Sequence, residues 1–114
     1  MVEIDFDKMQ GLAPAIVQDD ATGEVLMLGF MNREALRITL TCGYATFFSR
    51  TRGKLWTKGE TSGNRLKVTA LTTDCDQDTL LVRVQVEGEG KVCQEGTRSC
   101  FTRRLAPASE GGAQ

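Results

Sequence analysis

LLVRVQVE, residues 80–87, is the most regular stretch of the chain: Leu80, Val82, Val84 and Val86 share one face, and Leu81, Arg83 and Gln85 share the other. A period of two marks a half-buried strand, because successive side chains of an extended backbone point to opposite sides. Upstream, RLKVTALTT (65–73) repeats the alternation through Leu66, Val68 and Ala70. YATFFS (44–49) and the segment around Leu55 and Trp56 are aromatic and β-prone, with the basic turn RTRG between them. PAIVQD (14–19) and EVLMLGF (24–30) read as two apolar strands joined by the turn-forming cluster DATG, which predicts a hairpin. One segment, REALRITLTC, reads as a helix, with Asn32 as its N-cap, Leu36 and Leu40 four apart, and Gly43 as a left-handed stop. The expected fold is a strand-rich α+β domain over residues 1–105, with one principal helix, long polar loops and a flexible tail at 106–114.

A chain of 114 residues has room for one core, so a single domain is expected. No apolar run approaches the roughly 18 residues of a membrane span, which predicts no membrane partner. The acidic start MVEIDFDKMQ lacks a secretory signal's basic and apolar regions, so the expected location is the cytoplasm. A net charge of −1 argues against bulk nucleic-acid binding, which calls for a basic excess. Four cysteines in a reducing compartment point to metal or thiol chemistry, and no histidine is present to share it.

Three constellations carry chemistry. In TTDCDQDTL (72–80) acids recur at Asp74, Asp76 and Asp78. Carboxylates so close repel unless a cation sits among them, and hard oxygen ligands suit Mg²⁺ or Ca²⁺. The EF-hand pattern is excluded, since Thr79 and Gln85 stand where it needs glycine and glutamate. The plain alternative is a solvated acidic turn; an extended backbone here would put Cys75 on the face opposite the acids. In VCQEGTRSCF, Cys93 and Cys100 are spaced to converge, and Cys75 would complete a thiolate set for zinc. Cys42, at the helix end, is expected as a small buried apolar residue, and the plain alternative for the other three is unrelated reduced thiols. LWTKGETSGN (55–64) offers Trp56, Lys58, Glu60, Thr61, Ser62 and Asn64 around glycines that admit an anion to the backbone. Arg50, Arg52 and Arg98 could add phosphate contacts, although any one of them alone reads as a solvated charge.

Taken in order, FFSRTRGKLWTKGETSGN, DCDQD and CQEGTRSCF resemble the phosphoribosyl-AMP cyclohydrolases of histidine biosynthesis, with the likeness running from about residue 11 to 104. The resemblance implies a homodimer with a compact, mixed or antiparallel, pseudobarrel-like sheet. It implies hydrolytic opening of the adenine ring of phosphoribosyl-AMP between N1 and C6, with Zn²⁺ and Mg²⁺ as cofactors. By the family pattern Asp74, Asp76 and Asp78 hold Mg²⁺, and Cys75 joins the partner subunit's Cys93 and Cys100 around Zn²⁺. Zinc suits the reaction, because water must attack an aromatic purine carbon at neutral pH. One departure stands out: the family commonly has histidine after the first cysteine of the C-x6-C loop, and this chain has Gln94. Gln94 cannot shuttle a proton, so Glu95 and Glu60 join it as candidate catalytic residues, with the Asp74 to Asp78 group as a further substitute. The reading from another class is a catalytically silent, metal-stabilised dimer that binds a nucleotide.

Overall fold

The computed structural model describes residues 2–107, so most of the tail expected at 106–114 lies outside the described residues. Six strands and one α-helix follow a short 3₁₀ turn at Phe6–Met9: β1 (Ala13–Asp19), β2 (Val25–Met31), α1 (Arg33–Cys42), β3 (Thr46–Ser49), β4 (Lys54–Thr57), β5 (Leu66–Thr73) and β6 (Leu80–Val86). The 3₁₀ turn has no counterpart in the sequence reading. All six expected strands and the helix are present, and the helix is capped as expected. The Asn32 side chain accepts from the Ala35 N–H, and Gly43 ends the helix at a φ of 83°.

The main sheet runs β2-β1-β6-β5 and is mixed. β1 and β2 form one antiparallel hairpin, β5 and β6 another, and the parallel pairing of β1 with β6 joins them. Both central strands bury alternate residues, Ala13, Ala15 and Val17 on β1 and Leu80, Val82 and Val84 on β6. β3 and β4 form a separate two-stranded sheet. Tyr44 bridges Lys67 on β5, so the second sheet continues from the edge of the first. The two sheets face each other across Phe47, which is fully buried and stacks on Trp56 with ring centroids 5.2 Å apart. The strands thus divide into a mixed four-stranded sheet and a two-stranded one, linked at the Tyr44–Lys67 bridge. Gly29 explains how the layers approach: a Cβ there would lie 2.7 Å from the Phe47 ring, so the middle of β2 has no room for a side chain.

Three local expectations are corrected. The alternation of β5 slips at Thr69, because Val68 pairs with Val84 but Ala70 pairs with Arg83, leaving an extra residue in the strand. Ala70 is therefore exposed and Leu71 takes the half-buried place. The helix buries Ala35 and Thr39, while Leu40 is 67% exposed. Small residues let α1 lie close to the sheet, and the Thr39 hydroxyl donates to Ala35 O and accepts from Thr46 N, tying helix to strand. Cys42, expected to be buried, is exposed at the helix end. Among the described residues no helix is long and apolar enough to cross a membrane.

The burial pattern separates two leucines that the sequence does not distinguish. Leu26→Ala, at a fully buried site on β2, should lower the free energy of unfolding by about 2–5 kcal/mol. Leu40→Ala should stay within about 0.5 kcal/mol of wild type, as urea melts of the two variants would show.

Candidate active site

The acids form a tight turn between β5 and β6, not an extended run. Gln77 adopts a φ of 61°, and the Asp74 carboxylate accepts the Asp78 and Thr79 N–H groups at 3.1 Å each. That turn, not strand alternation, brings ligand oxygens of Asp74, Asp76 and Asp78 within 4.8 Å of one another. Desolvation works to raise the Asp74 pKa, but the two backbone N–H groups outweigh it and hold the carboxyl at about 2. Asp76 is pushed the other way, chiefly by hydrogen bonding with Asp74. The N-terminal segment straps this turn: Asp5 N donates to Gln77 O, and the Gln77 side chain donates to Glu3 O. Lys8 Nζ reaches Asp78 Oδ2 at 3.4 Å and Asp76 Oδ2 at 3.5 Å. The cluster thus already attracts a cation of the chain's own.

The cysteine loop follows β6. Its turn is closed by Cys93 N donating to Thr97 O at 3.0 Å and Gly96 N donating to Cys93 O at 2.9 Å, and Val92 is buried beneath it. Cys93 and Cys100 are near enough to shift each other's titration. The Glu95 backbone N–H and then the Thr97 hydroxyl lower the Cys93 pKa; burial and the neighbouring Cys93 raise that of Cys100. Cys100 N donates to Leu26 O at the start of β2. Cys75 belongs to the acidic turn before β6 and does not join the other two: among the described residues the acids are the one group of three metal-ligating side chains that converges. The parallel pairing sets the acidic turn beside the start of β1 and the cysteine loop beside its end, so the length of β6, roughly 20 Å for a seven-residue strand, lies between them.

A cavity of about 490 Å³ is lined by Arg52, Trp56, Lys58, Glu60, Thr61, Ser62 and Gln94, all singled out from the sequence, together with Lys54 and Thr57. Lys54 was missed there, yet it shares the alternation of Arg52, Trp56 and Lys58 across β4 and could have been found from it. Lys58 stacks on Trp56 at 5.6 Å and is near enough to Cys100 to favour its thiolate, which links the cavity to the thiol pair. Gly59 holds the loop's shape: its φ is 77°, and a Cβ there would meet Asn64 O at 2.1 Å.

The remaining candidates lie outside the cavity lining. Arg50 stacks on Phe30 at 4.0 Å. Asn64 is buried and accepts from Glu89 N at 2.7 Å, joining the loop to the chain after β6. Arg98 is engaged by Asp19 and Glu24. Glu95 is exposed and 3.5 Å from Arg103.

Comparison with known proteins gives one answer. Residues 27–102 match the family model described as phosphoribosyl-AMP cyclohydrolase. The chain is 55% identical over 104 residues to a phosphoribosyl-AMP cyclohydrolase of Solibacter usitatus, covering 91% of this chain and 82% of that one. It is 57% identical to the histidine biosynthesis bifunctional protein HisIE of Bacteroides thetaiotaomicron and 58% identical to that of Escherichia coli. In each of these two the match covers 48% of the longer protein and 88% or 87% of this chain.

The Asp74 pKa of about 2 has a testable consequence. A carboxyl depressed in the folded state stabilises it fully above the unfolded value, 3.8, and loses that contribution as pH falls toward 2. Asp76 is shifted upward and titrates with the opposite sign, so the effect of Asp74 is read as a difference from wild type. Asp74→Asn should flatten the fall in melting temperature between pH 4 and about 2. Parallel melting curves for variant and wild type across that window would contradict the assignment.

Proposed function

The chain belongs to the phosphoribosyl-AMP cyclohydrolase family, and on that footing we propose that it opens the adenine ring of phosphoribosyl-AMP by hydrolysis, as a step of histidine biosynthesis. Water adds its oxygen to C6, the N1–C6 bond breaks, and a proton is delivered to N1. The observation that carries the reading is the cavity that gathers three cations, the half-buried Trp56, a carboxylate and Gln94 beside the cysteine loop.

Arg52, Lys54 and Lys58 supply positive charge for the substrate's phosphates. Trp56 offers an apolar plane for the purine, and the Thr61 and Ser62 hydroxyls add donors. Glu60 lines the same space and can take a proton from water and return it at N1, the role left open by the absence of histidine. Gln94 holds water or substrate through a neutral amide. Arg50, Asn64, Arg98 and Glu95, outside this lining, are not assigned to the substrate.

The donor sets suit the two metals. The oxygen cluster that already draws in the Lys8 ammonium is a hard site for Mg²⁺, held by Asp74, Asp76 and Asp78. The thiol pair Cys93 and Cys100 is a soft site for Zn²⁺. Among the described residues no third ligand joins it, because Cys75 lies at the far end of β6. A homodimer in which Cys75 of one subunit meets Cys93 and Cys100 of the other supplies it. When bound, zinc activates water and magnesium offsets phosphate charge.

Turnover of phosphoribosyl-AMP by the purified, metal-replete protein is the direct test, and metal binding without turnover would favour the silent dimer. Cys75→Ser and Cys93→Ser should each lose zinc and activity, while Cys42→Ser keeps both. Mixing the two inactive proteins tests sharing. Each heterodimer regains one intact site, so subunit exchange should restore about a quarter of wild-type activity for a two-fold dimer. No recovery, with exchange verified, would sink the shared site.

Gln94→Ala should cost less than the roughly 10²-fold expected of a true general acid or base. Gln94→His should add a limb near pH 6.5 to the rate profile, about the unperturbed value for imidazole. A loss of several hundredfold in Gln94→Ala with zinc retained would make the amide itself central.

A further inference from the structure

Asp19 closes β1 and is only 4% exposed, a rare condition for a carboxylate without firm partners. Its Oδ2 accepts both the N–H and the hydroxyl of Thr22 at 2.8 Å, and its Oδ1 accepts from Arg98 Nη2 at 2.7 Å. Desolvation would raise the pKa of such a group, but the Thr22 bonds and the Arg98 guanidinium outweigh it and keep the carboxyl below its usual range. Arg98 comes from the far side of the sequence, within the C-x6-C loop. Two further contacts hold it: Nε faces Glu24 at 3.3 Å and Nη1 donates to Gly90 O at 3.4 Å. The next two residues dock on the same hairpin, with Ser99 Oγ donating to Val25 O at 2.9 Å and Cys100 N donating to Leu26 O at 2.7 Å.

We propose that Asp19, through Arg98, is a positioning residue for the cysteine loop: the ion pair to this buried carboxylate fixes the loop to the β1–β2 hairpin and so sets Cys93 and Cys100 at the spacing a shared metal requires. The inference rests on the zinc reading given above. Arg98 lies five residues after Cys93 and two before Cys100, so its anchor governs the approach of one thiol to the other. A guanidinium committed to two carboxylates and a carbonyl, outside the cavity lining, is an anchor and not a phosphate ligand. The anchoring carboxylate is buried where solvent and salt screen it least.

The test separates anchoring from ordinary stabilisation. Co²⁺ is titrated into metal-free wild type, Arg98→Met, Arg98→Lys and Asp19→Asn at a temperature where circular dichroism shows all four fully folded. The thiolate-to-cobalt absorption band is followed. Arg98→Met and Asp19→Asn should weaken Co²⁺ binding about 10- to 100-fold, the range for losing a group that orients a metal ligand. Arg98→Lys, which keeps the charge but not the fork, should recover part of it. Cobalt affinity within about twofold of wild type in Arg98→Met, whatever its melting temperature, overturns the proposal. Should wild type itself give no thiolate band, the zinc reading fails. Hydrogen exchange at the Cys100 amide then decides the anchor separately: faster exchange in Arg98→Met supports it, and unchanged exchange overturns it.

Discussion

Five residues of parallel pairing, Ala15 to Asp19 against Leu80 to Val84, hold the molecule together. Without that ladder the main sheet is two antiparallel hairpins, each with one apolar face, and an isolated two-stranded hairpin is marginal in water. Pairing β1 with β6 merges the two faces into one surface, on which Val17, Val82 and Val84 are completely buried and against which Phe47 closes the second layer. The partners are some 65 residues apart in sequence, so their contact is a costly one in loop-closure entropy. It is offset by the burial of both central strands at alternate positions.

The same ladder settles the polarity of the candidate site. Because β1 and β6 run in one direction, the turn before β6 lies beside the start of β1 and the loop after β6 beside its end. The acids and Cys75 fall at one end, and Cys93, Cys100 and the anchoring Asp19 at the other. What the single chain does assemble is the cavity over β3 and β4, where the pleat turns Lys54 and Trp56 to the same side and the loop after them supplies Lys58, Glu60 and two hydroxyls.

Each functional loop is shaped by side chains that satisfy its backbone. Asp74 caps its own turn, Asn64 accepts from Glu89 across to the following segment, and Ser99 and Arg98 secure the cysteine loop to the hairpin. Polar groups in such loops would otherwise be left unpaired near the core, at a cost comparable to a lost hydrogen bond. Asp74 therefore serves as an architectural acceptor as well as a candidate ligand, whereas Asp76 is the freer of the acids.

The sequence by itself determined the elements, because they depend on local rules. Alternation marked the strands, Asn32 and Gly43 bounded the helix, and DATG and RTRG marked the turns. It also named the residue types of the site, since acids, thiols and cations keep their chemistry wherever they sit. Only the tertiary structure decided which of them meet. The bulge at Thr69 reversed the inward face of β5 partway along, and sterics against the sheet chose Thr39 over Leu40. Long-range pairing gave Arg98 to a buried carboxylate 79 residues away, and brought Lys8 to the acids from the N-terminus. Those choices depend on distances between segments that no local pattern encodes, because a side chain's partners are set by the packing of whole strands and loops.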